Sequence, residues 1–552
     1  MSLSLPLARY VQTLRHLTAK QWDYQLRHRL LRRRHPSKYA RPELRVPTTE
    51  LLEPIAKRAV LKEPLAITIF EQLVEVDDWS GAGLSDLQRY NLHYFDLCTG
   101  RSFADLYETL TLDWVANNPP LSGVGWDPFP ISLRAVNWIK WHLLRGPLPE
   151  PVLESLCLQG RVLSARPEFH LLANHLLANA AALFHLGCFF SGTEAEQWKQ
   201  QGRQLLDRAI DEQVLSDGGH FERSPMYHGL ILEQLLDCVN VGSCFGVEIP
   251  SQWLTKLRSM LRWSSTMRHP DGAIPFFNDA TFGVSPEHRE LESYADRLNI
   301  ERDEASAVTC SSQVLQETGF AVLKEGQFTV IADVGSPGPS YQPGHAHAGT
   351  LSFEVSVDEK RFLCNSGIST YARSQERLRQ RGSSAHNCLV IDEANSSDVW
   401  SSFRVGHRAC ASILGFPRRS DVRLQATHDG YKEALHTRTF AISESKGLTI
   451  EDHLEPQNGA ARWRTIRTPR RVAAYFHLHP SWEPSQQQDG VRCVHGDGTS
   501  VQVSCDIGSF RIVETSYHEG FGKSEIRQCL VLDWSEDSVS ATVRFSCLTS
   551  GT

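Results

Sequence analysis

The chain has 552 residues, 41% apolar and 22% charged, the balance of an ordinary globular protein with ample length for a core that needs no metal or disulfide staple. Lys plus Arg number 57 against 64 Asp plus Glu, and the net charge of −7 argues against a general nucleic-acid binder. With 13 Trp, 13 Tyr and 24 Phe, the chain is too aromatic for disordered, collagen-like or coiled-coil classes.

The 13 Cys are odd in number and scattered without a CxxC pair, so reduced thiols are expected. The N-terminal stretch MSLSLPLARYVQTLRHL lacks the apolar core of a secretory signal. The expectation is a cytoplasmic protein, with a periplasmic location by another export route left open. Residues 1 to about 40 read as basic helix, with Arg27, Arg29, Arg32, Arg33 and Arg34. That run is either a solvated helical face or a surface for an anionic partner or membrane. Residues 41–65 are Pro-rich and read as a linker or wrapped arm, so 1–65 is taken as an N-terminal segment.

Residues 66–305 carry Leu, Ile and Val at helical steps, broken by Gly/Pro loops at 117–130, 216–225 and 268–275. Long antiparallel helices fit a toroid or bundle. The most apolar stretch, Leu171 to Phe190, contains Asn174, His175, Asn179 and His185, which suits a buried helix better than a membrane span. From 306 to 552 the period becomes two, as in FTVIADVG (328–335) and LTIEDHLE (448–455). This predicts more than ten antiparallel strands, arranged as a sandwich. The fold class is therefore α+β and multidomain: a helical half, then a β half, with the seam near 300–315.

Four clusters could carry chemistry. Asn174 and His175 sit inside an apolar helix, where each polar group needs a partner. GGHFERSPMYH (218–228) gathers Glu222, Arg223, Tyr227 and His228 on a loop feeding a helix, and Arg223 beside Tyr227 would lower the phenol's pKa. In PGHAHAGTLSFEV (343–355), His345 and His347 lie two apart at a strand entry and share a face, which suits a metal or a catalytic imidazole with a ligand beside it. RLRQRGSSAHN (377–387) alternates Arg377, Arg379 and Arg381 before His386, as for carboxylate or sulfate recognition. Each cluster also has a bland reading: satisfied core polar groups, a decorated helix cap, surface histidines, a solvated basic edge. There is no GxGxxG, Walker A, HExxH or GxSxG.

Taken in this order, the clusters resemble the heparinase II/III family of polysaccharide lyases. The resemblance rests on NHLLANAAALFHLGCFF, DGGHFERSPMYH, HAHAGTLSFEV with LCNSG, and SSAHN, and extends over roughly 90–480 with WDPFPISLRAVNWIKW at 126–141. It is nearest to bacterial members that accompany polysaccharide biosynthesis. The resemblance implies an N-terminal (α/α) toroid followed by an antiparallel β-sandwich. It implies β-elimination at a uronic acid, with Tyr227 as base, acid or both, Asn174 and His175 neutralising the substrate carboxylate, and His345 catalytic from the β half. It also implies a zinc site on His347, His386 and position 365. There Asn365 replaces the usual Asp, so that a hydrogen-bonded network of the three is the alternative to a structural metal. No organic cofactor is implied. Arg134, Arg223, His228, Tyr371 and Arg381 are expected to line an acidic-glycan cleft. Competing expectations are a non-catalytic glycan-binding or assembly protein of exopolysaccharide or capsule production, and C5 epimerisation or hydrolysis on the same scaffold. Hydrolysis would want two carboxylates, for which Glu222 and Asp217 are the candidates.

Overall fold

The computed structural model describes residues 4–30, 40–56, 61–62, 66–70, 72–75, 78–96, 104–301, 312–418, 421–432, 434–457, 471–534 and 539–548. Arg32, Arg33 and Arg34 of the basic run lie outside them. Two helices, α1 (Ser4–Leu14) and α2 (Ala19–Leu30), open the chain. The arm at 40–56 is wrapped rather than free: Arg45 donates its backbone N–H to Phe189, Thr48 to Cys244, and Ser191 to Glu43. A small antiparallel sheet of Leu61–Lys62, Ala66–Ile69 and Gln72–Glu75 follows, where the spacing predicts helix from 66. The alternation of Ile67 and Ile69 wins there, because both side chains bury into the helical core.

The helical half continues with α3 (Asp86–Leu92), α4 (Ala104–Asn117), α5 (Pro128–Leu144), α6 (Glu150–Ala165), α7 (Ala173–Phe189), α8 (Gly192–Gln213), α9 (Pro225–Cys244), α10 (Ser251–Thr266) and α11 (His288–Arg297). Helix α7 is apolar nearly all round and is enclosed by α5, α8 and α9. Its backbone touches that of α8 at Gly187, where a Cβ would stand 2.3 Å from the Lys199 nitrogen. None of the helices is long and apolar enough to cross a membrane, among the described residues.

The β half is antiparallel throughout its three larger sheets. Five strands between Gln313 and Leu363 pair in sequence order, eight between Ala411 and Leu548 form the largest sheet, and a four-stranded sheet joins Leu389–Ile391, Val472–His477, Ser509–Tyr517 and Glu525–Trp534. One apolar core takes side chains from all three, including Val355, Phe545 and Phe476. The strand Gly447–Pro456 buries every second residue over most of its length, as its sequence pattern requires.

The halves are locked together by the segment between α10 and α11. Trp263, Met267 and Phe277 pack against Phe320 and Ile331. His269 reaches the buried strand residues Glu354 (2.8 Å) and Ser356 (2.7 Å). The same segment carries Asn278 and Asp279 into the seam.

Arg134 is a fastener of the helical half and does not line a cleft. It is fully buried in α5, donates to Gln159 Oε1 (3.0 Å) and to the carbonyls of His93 (3.1 Å) and Gly125 (2.8 Å), and lies over the Trp114 ring. Arg134→Ala strands those acceptors, and the expected loss is about 3 kcal/mol or more, read from urea unfolding of the purified variant.

Candidate active site

A cleft of about 1480 Å³ runs between the two halves. Its walls include Asn174 and His175 from α7, Tyr227 from α9, and His345, Tyr371 and Phe403 from the β half. The structure thus brings together five of the residues singled out from sequence.

The α7 pair is presented by a tight backbone. Leu172 and Ala173 both adopt left-handed φ (63° and 49°), a costly conformation for residues with a Cβ. The Asn174 N–H donates to Glu222 Oε1 (3.2 Å), while its carboxamide forms no hydrogen bond among the described residues. His175 packs on Phe129 (4.4 Å between centroids) and sits 3.3 Å from Glu168 Oε2. Burial works against its charged form, but Glu168 and then Glu222 outweigh it and raise its pKa. Glu168 is itself held by Asn179 (3.1 Å).

Tyr227 stands in the first turn of α9, which Ser224 caps by accepting its N–H. The loop that delivers it needs a glycine at 218: φ is 91°, and a Cβ would sit 2.1 Å from the Ser259 carbonyl oxygen. The Tyr227 ring stacks on His345 (3.9 Å) and its hydroxyl shares a hydrogen bond with that of Tyr371 (3.2 Å). Burial, assisted by the negative charge of Asp279, pushes the phenol's pKa up, while Tyr371 and the Arg377 guanidinium oppose it. The expected Arg223 effect is absent. Arg223 turns to the carbonyls of Ser336 and Glu317 across the seam, so its charge is spent there.

Asp279 organises the β side. Its Oδ2 accepts from His345 Nδ1 (2.8 Å), its Oδ1 from His347 Nε2 (2.8 Å), and Arg377 grips both oxygens (2.5 and 2.8 Å). Burial would raise its pKa, yet Arg377, His345 and His347 together hold the carboxyl well below the usual range. Sequence reading missed Asp279 altogether. Its one signal was an Asn-Asp pair inside the apolar run PFFNDATF (275–282). Glu222 flanks the other imidazole nitrogen, with Oε2 3.4 Å from His345 Nε2, and burial raises its pKa.

Two further expectations are relocated. His228 points to the Met260 carbonyl (3.0 Å) inside the helical half. Arg381 is buried and donates to the carbonyls of Ala346, Ser401 and Arg404, so it shapes the loops behind the cleft.

His347 and His386 meet, with Nδ1 and Nε2 3.1 Å apart. Their other nitrogens face acceptors only: the Asp279 carboxylate and the Gly382 carbonyl (2.7 Å). Each neutral ring has one N–H, and those acceptors claim both. Two lone pairs therefore face each other in a buried place. Burial lowers the pKa of His347 to about 4 and of His386 to about 3, which disfavours a proton between them. Two neutral imidazole nitrogens at this separation fit a bound zinc ion. The third ligand is the weak point. Asn365 Oδ1 accepts from the Asn387 N–H (3.1 Å), and its Nδ2 finds no partner among the described residues. No three His, Cys, Asp or Glu side chains converge as for a metal, among the described residues.

Fold and site together define a helical half and an antiparallel β half that meet at one cleft. Family models for the heparinase II/III N-terminus and the heparinase II/III-like C-terminal region match residues 152–299 and 308–546. The chain belongs to the heparinase II/III-like family. It is 23% identical over 361 residues to a heparin-sulfate lyase of Bacteroides stercoris, covering 61% of this chain and 52% of that one. It is 26% identical over 332 residues to the FtsZ-localized protein C of Caulobacter vibrioides, covering 57% and 54%. The chain spans about half the length of these curated relatives. Among solved structures, heparinase III superposes with a TM-score of 0.67 at 17% identity (84% and 77% covered), and heparan sulfate lyase HepC of Pedobacter heparinus with 0.60 at 18% (87% and 80%). These likenesses concern the fold.

Removing the Asp279 charge leaves Arg377 buried and unpaired, and Asp279→Asn is expected to lose about 3–5 kcal/mol. The pH dependence has a definite sign. A carboxyl depressed in the folded state stabilises the protein above its unfolded pKa of about 4 and loses that contribution as pH falls. Thermal unfolding should show an acid-side decline below about pH 4 that Asp279→Asn shares only in part.

Proposed function

We propose that the protein is a polysaccharide lyase that cleaves a uronate-containing glycan by β-elimination, within a helical half built as an (α/α) toroid. The observation that carries this reading is the convergence, across the seam, of a stacked Tyr227–His345 pair with Asn174 and His175. The reaction moves one proton from C5 to the leaving glycosidic oxygen. Asp279 holds the Nδ1 proton of His345, which leaves Nε2, 3.4 Å from Glu222 Oε2, as the lone pair that accepts the C5 proton, and its charge stabilises the imidazolium formed. Asn174 and the readily charged His175 neutralise the neighbouring carboxylate, so that the aci-carboxylate is tolerable. As the C4–O bond breaks, Tyr227, a phenol kept protonated by burial, donates its proton to the departing oxygen. The proton on His345 then restores the phenol.

The cleft favours a glycan of low charge density. Among the described residues it is lined by four Lys or Arg and six Asp or Glu side chains. Lys140 is paired with Asp237 (2.5 Å) and Lys523 with Glu519 (3.3 Å). That leaves the exposed Arg373 and Arg404, beside the exposed Phe403 ring and Tyr371, to meet isolated carboxylates on a sugar stacked there. Densely sulfated chains want more cations than this.

Zinc, held by His347 and His386 with Asn365 as a neutral third donor, would supply a fixed charge that braces the loops behind His345. Metal analysis of the purified protein is expected to find zinc that His386→Ala removes and Asn365→Asp retains more tightly. A protein free of metal in both forms would leave the histidines as a hydrogen-bonded pair.

A second reading is glycan binding without turnover in polysaccharide assembly, which identities of 23–26% to half-covered relatives leave open. Ultraviolet absorbance of the unsaturated uronate, followed on unsulfated and sulfated uronate glycans, separates the two. Tyr227→Phe is expected to lower kcat by about a hundred-fold or more with KM little changed. Glycan binding with no absorbance change would select the second reading.

A further inference from the structure

Helix α1 is inside out. On its wheel Arg9 and Thr13 fall on one side and Leu7, Val11 and Leu14 on the opposite side. The polar side is the one that faces the protein. Arg9 pairs with Asp398 (2.7 Å), and Thr13 donates to the Val405 carbonyl (3.3 Å) and accepts from Trp400 Nε1 (3.2 Å). The apolar stripe faces outward, with Leu7 68%, Val11 57% and Leu14 37% exposed. An amphipathic helix folding onto a globular domain for stability alone would turn its stripe inward.

Helix α2 repeats the arrangement. Its inner face is held by Gln21, which donates to the Tyr341 carbonyl (3.3 Å), and by Lys20 and Tyr24 against Phe169. Its outer face shows Trp22 and Leu26. The segment is basic in sequence: residues 4–30 contain five Lys or Arg (Arg9, Arg15, Lys20, Arg27, Arg29) and one acid, Asp23, a balance of +4 in a chain whose net charge is −7. Arg9 and Lys20 are turned to the protein, and Arg15 is exposed next to Leu14.

We propose that the outer face of α1 and α2 is a docking surface for an anionic phospholipid bilayer, with both helices lying in the plane of the headgroups. Apolar side chains inserted to the acyl boundary, a Trp at the interface and cations beside them are the requirements of such a surface. A second copy of the chain fits less well. Two narrow stripes of single side chains fall short of the roughly 1,000 Å² a stable interface needs, and a +4 segment repels itself. The α1–α2 segment also forms part of the cleft wall through Leu17 and Gln21. A bilayer on its outer face would therefore hold the cleft at the membrane surface.

The test is co-sedimentation of the full chain with vesicles of phosphatidylcholine alone or mixed with phosphatidylglycerol. Binding is expected to the mixed vesicles and to weaken with salt. The triple variant Leu7→Gln/Val11→Gln/Leu14→Gln should bind at least about ten-fold less. Arg15→Gln, changing an exposed cation alone, should bind a few-fold less. Leu7, Val11 and Arg15 point to solvent and Leu14 is partly exposed (37%), so the variants should keep close to the parent's thermal transition. No binding to the mixed vesicles, or binding that the triple variant retains in full, overturns the proposal. So does a concentration-dependent dimer in light scattering that the triple variant abolishes.

Discussion

The buried carboxylate of Asp279 is the constraint on which the site depends. Four N–H donors converge on its two oxygens, from His345, His347 and Arg377. A carboxylate in a dry interior is tolerated only when so compensated. Once it is there, it dictates the rest. It fixes the tautomer of His345, so that Nε2 is the nitrogen left to face Glu222 across the seam. It fixes that of His347 too, and so creates the facing lone pairs with His386. It also anchors Arg377, whose guanidinium lies 4.9 Å from the centre of the Tyr371 ring.

The chain segment that carries Asp279 explains how two separate cores make one site. The loop between α10 and α11 leaves the helical half and buries Phe276 and Phe277 among β-half side chains. Tyr227 comes from a helix and its stacking partner His345 from the β half, so their 3.9 Å contact exists only while the seam is closed. Arg223 serves the same closure, spending its charge on carbonyls across the seam. Residues that line the cleft and residues that hold the halves together are close in sequence here, and they differ by where each side chain finds acceptors.

Much of this was legible in the chain itself. The change of period near 306 marks the two halves, because burial on one side of a helix and one face of a sheet imposes 3.6 and 2 respectively. Asn174, His175, Tyr227 and His345 stood out as polar groups in apolar or turn-rich settings. The arginines were less legible. Arg134, Arg223 and Arg381 looked like cleft cations, yet all three saturate backbone carbonyls. A guanidinium's five donors serve an interior loop as well as a carboxylate, and spacing alone does not distinguish the uses.

The sequence by itself determined the order of helical and strand regions, the polar residues available at each turn and the basic character of the N-terminal segment, since these follow from local periodicity and composition. The tertiary structure decided which of those residues face one another. Asp279 lies 66 residues from His345 and 98 from Arg377, and only chain crossings set by packing bring them within hydrogen-bond distance. The outward turn of the α1 stripe was likewise a tertiary outcome. The periodicity specifies an apolar face, but the contacts of Arg9 and Thr13 decide which way it looks.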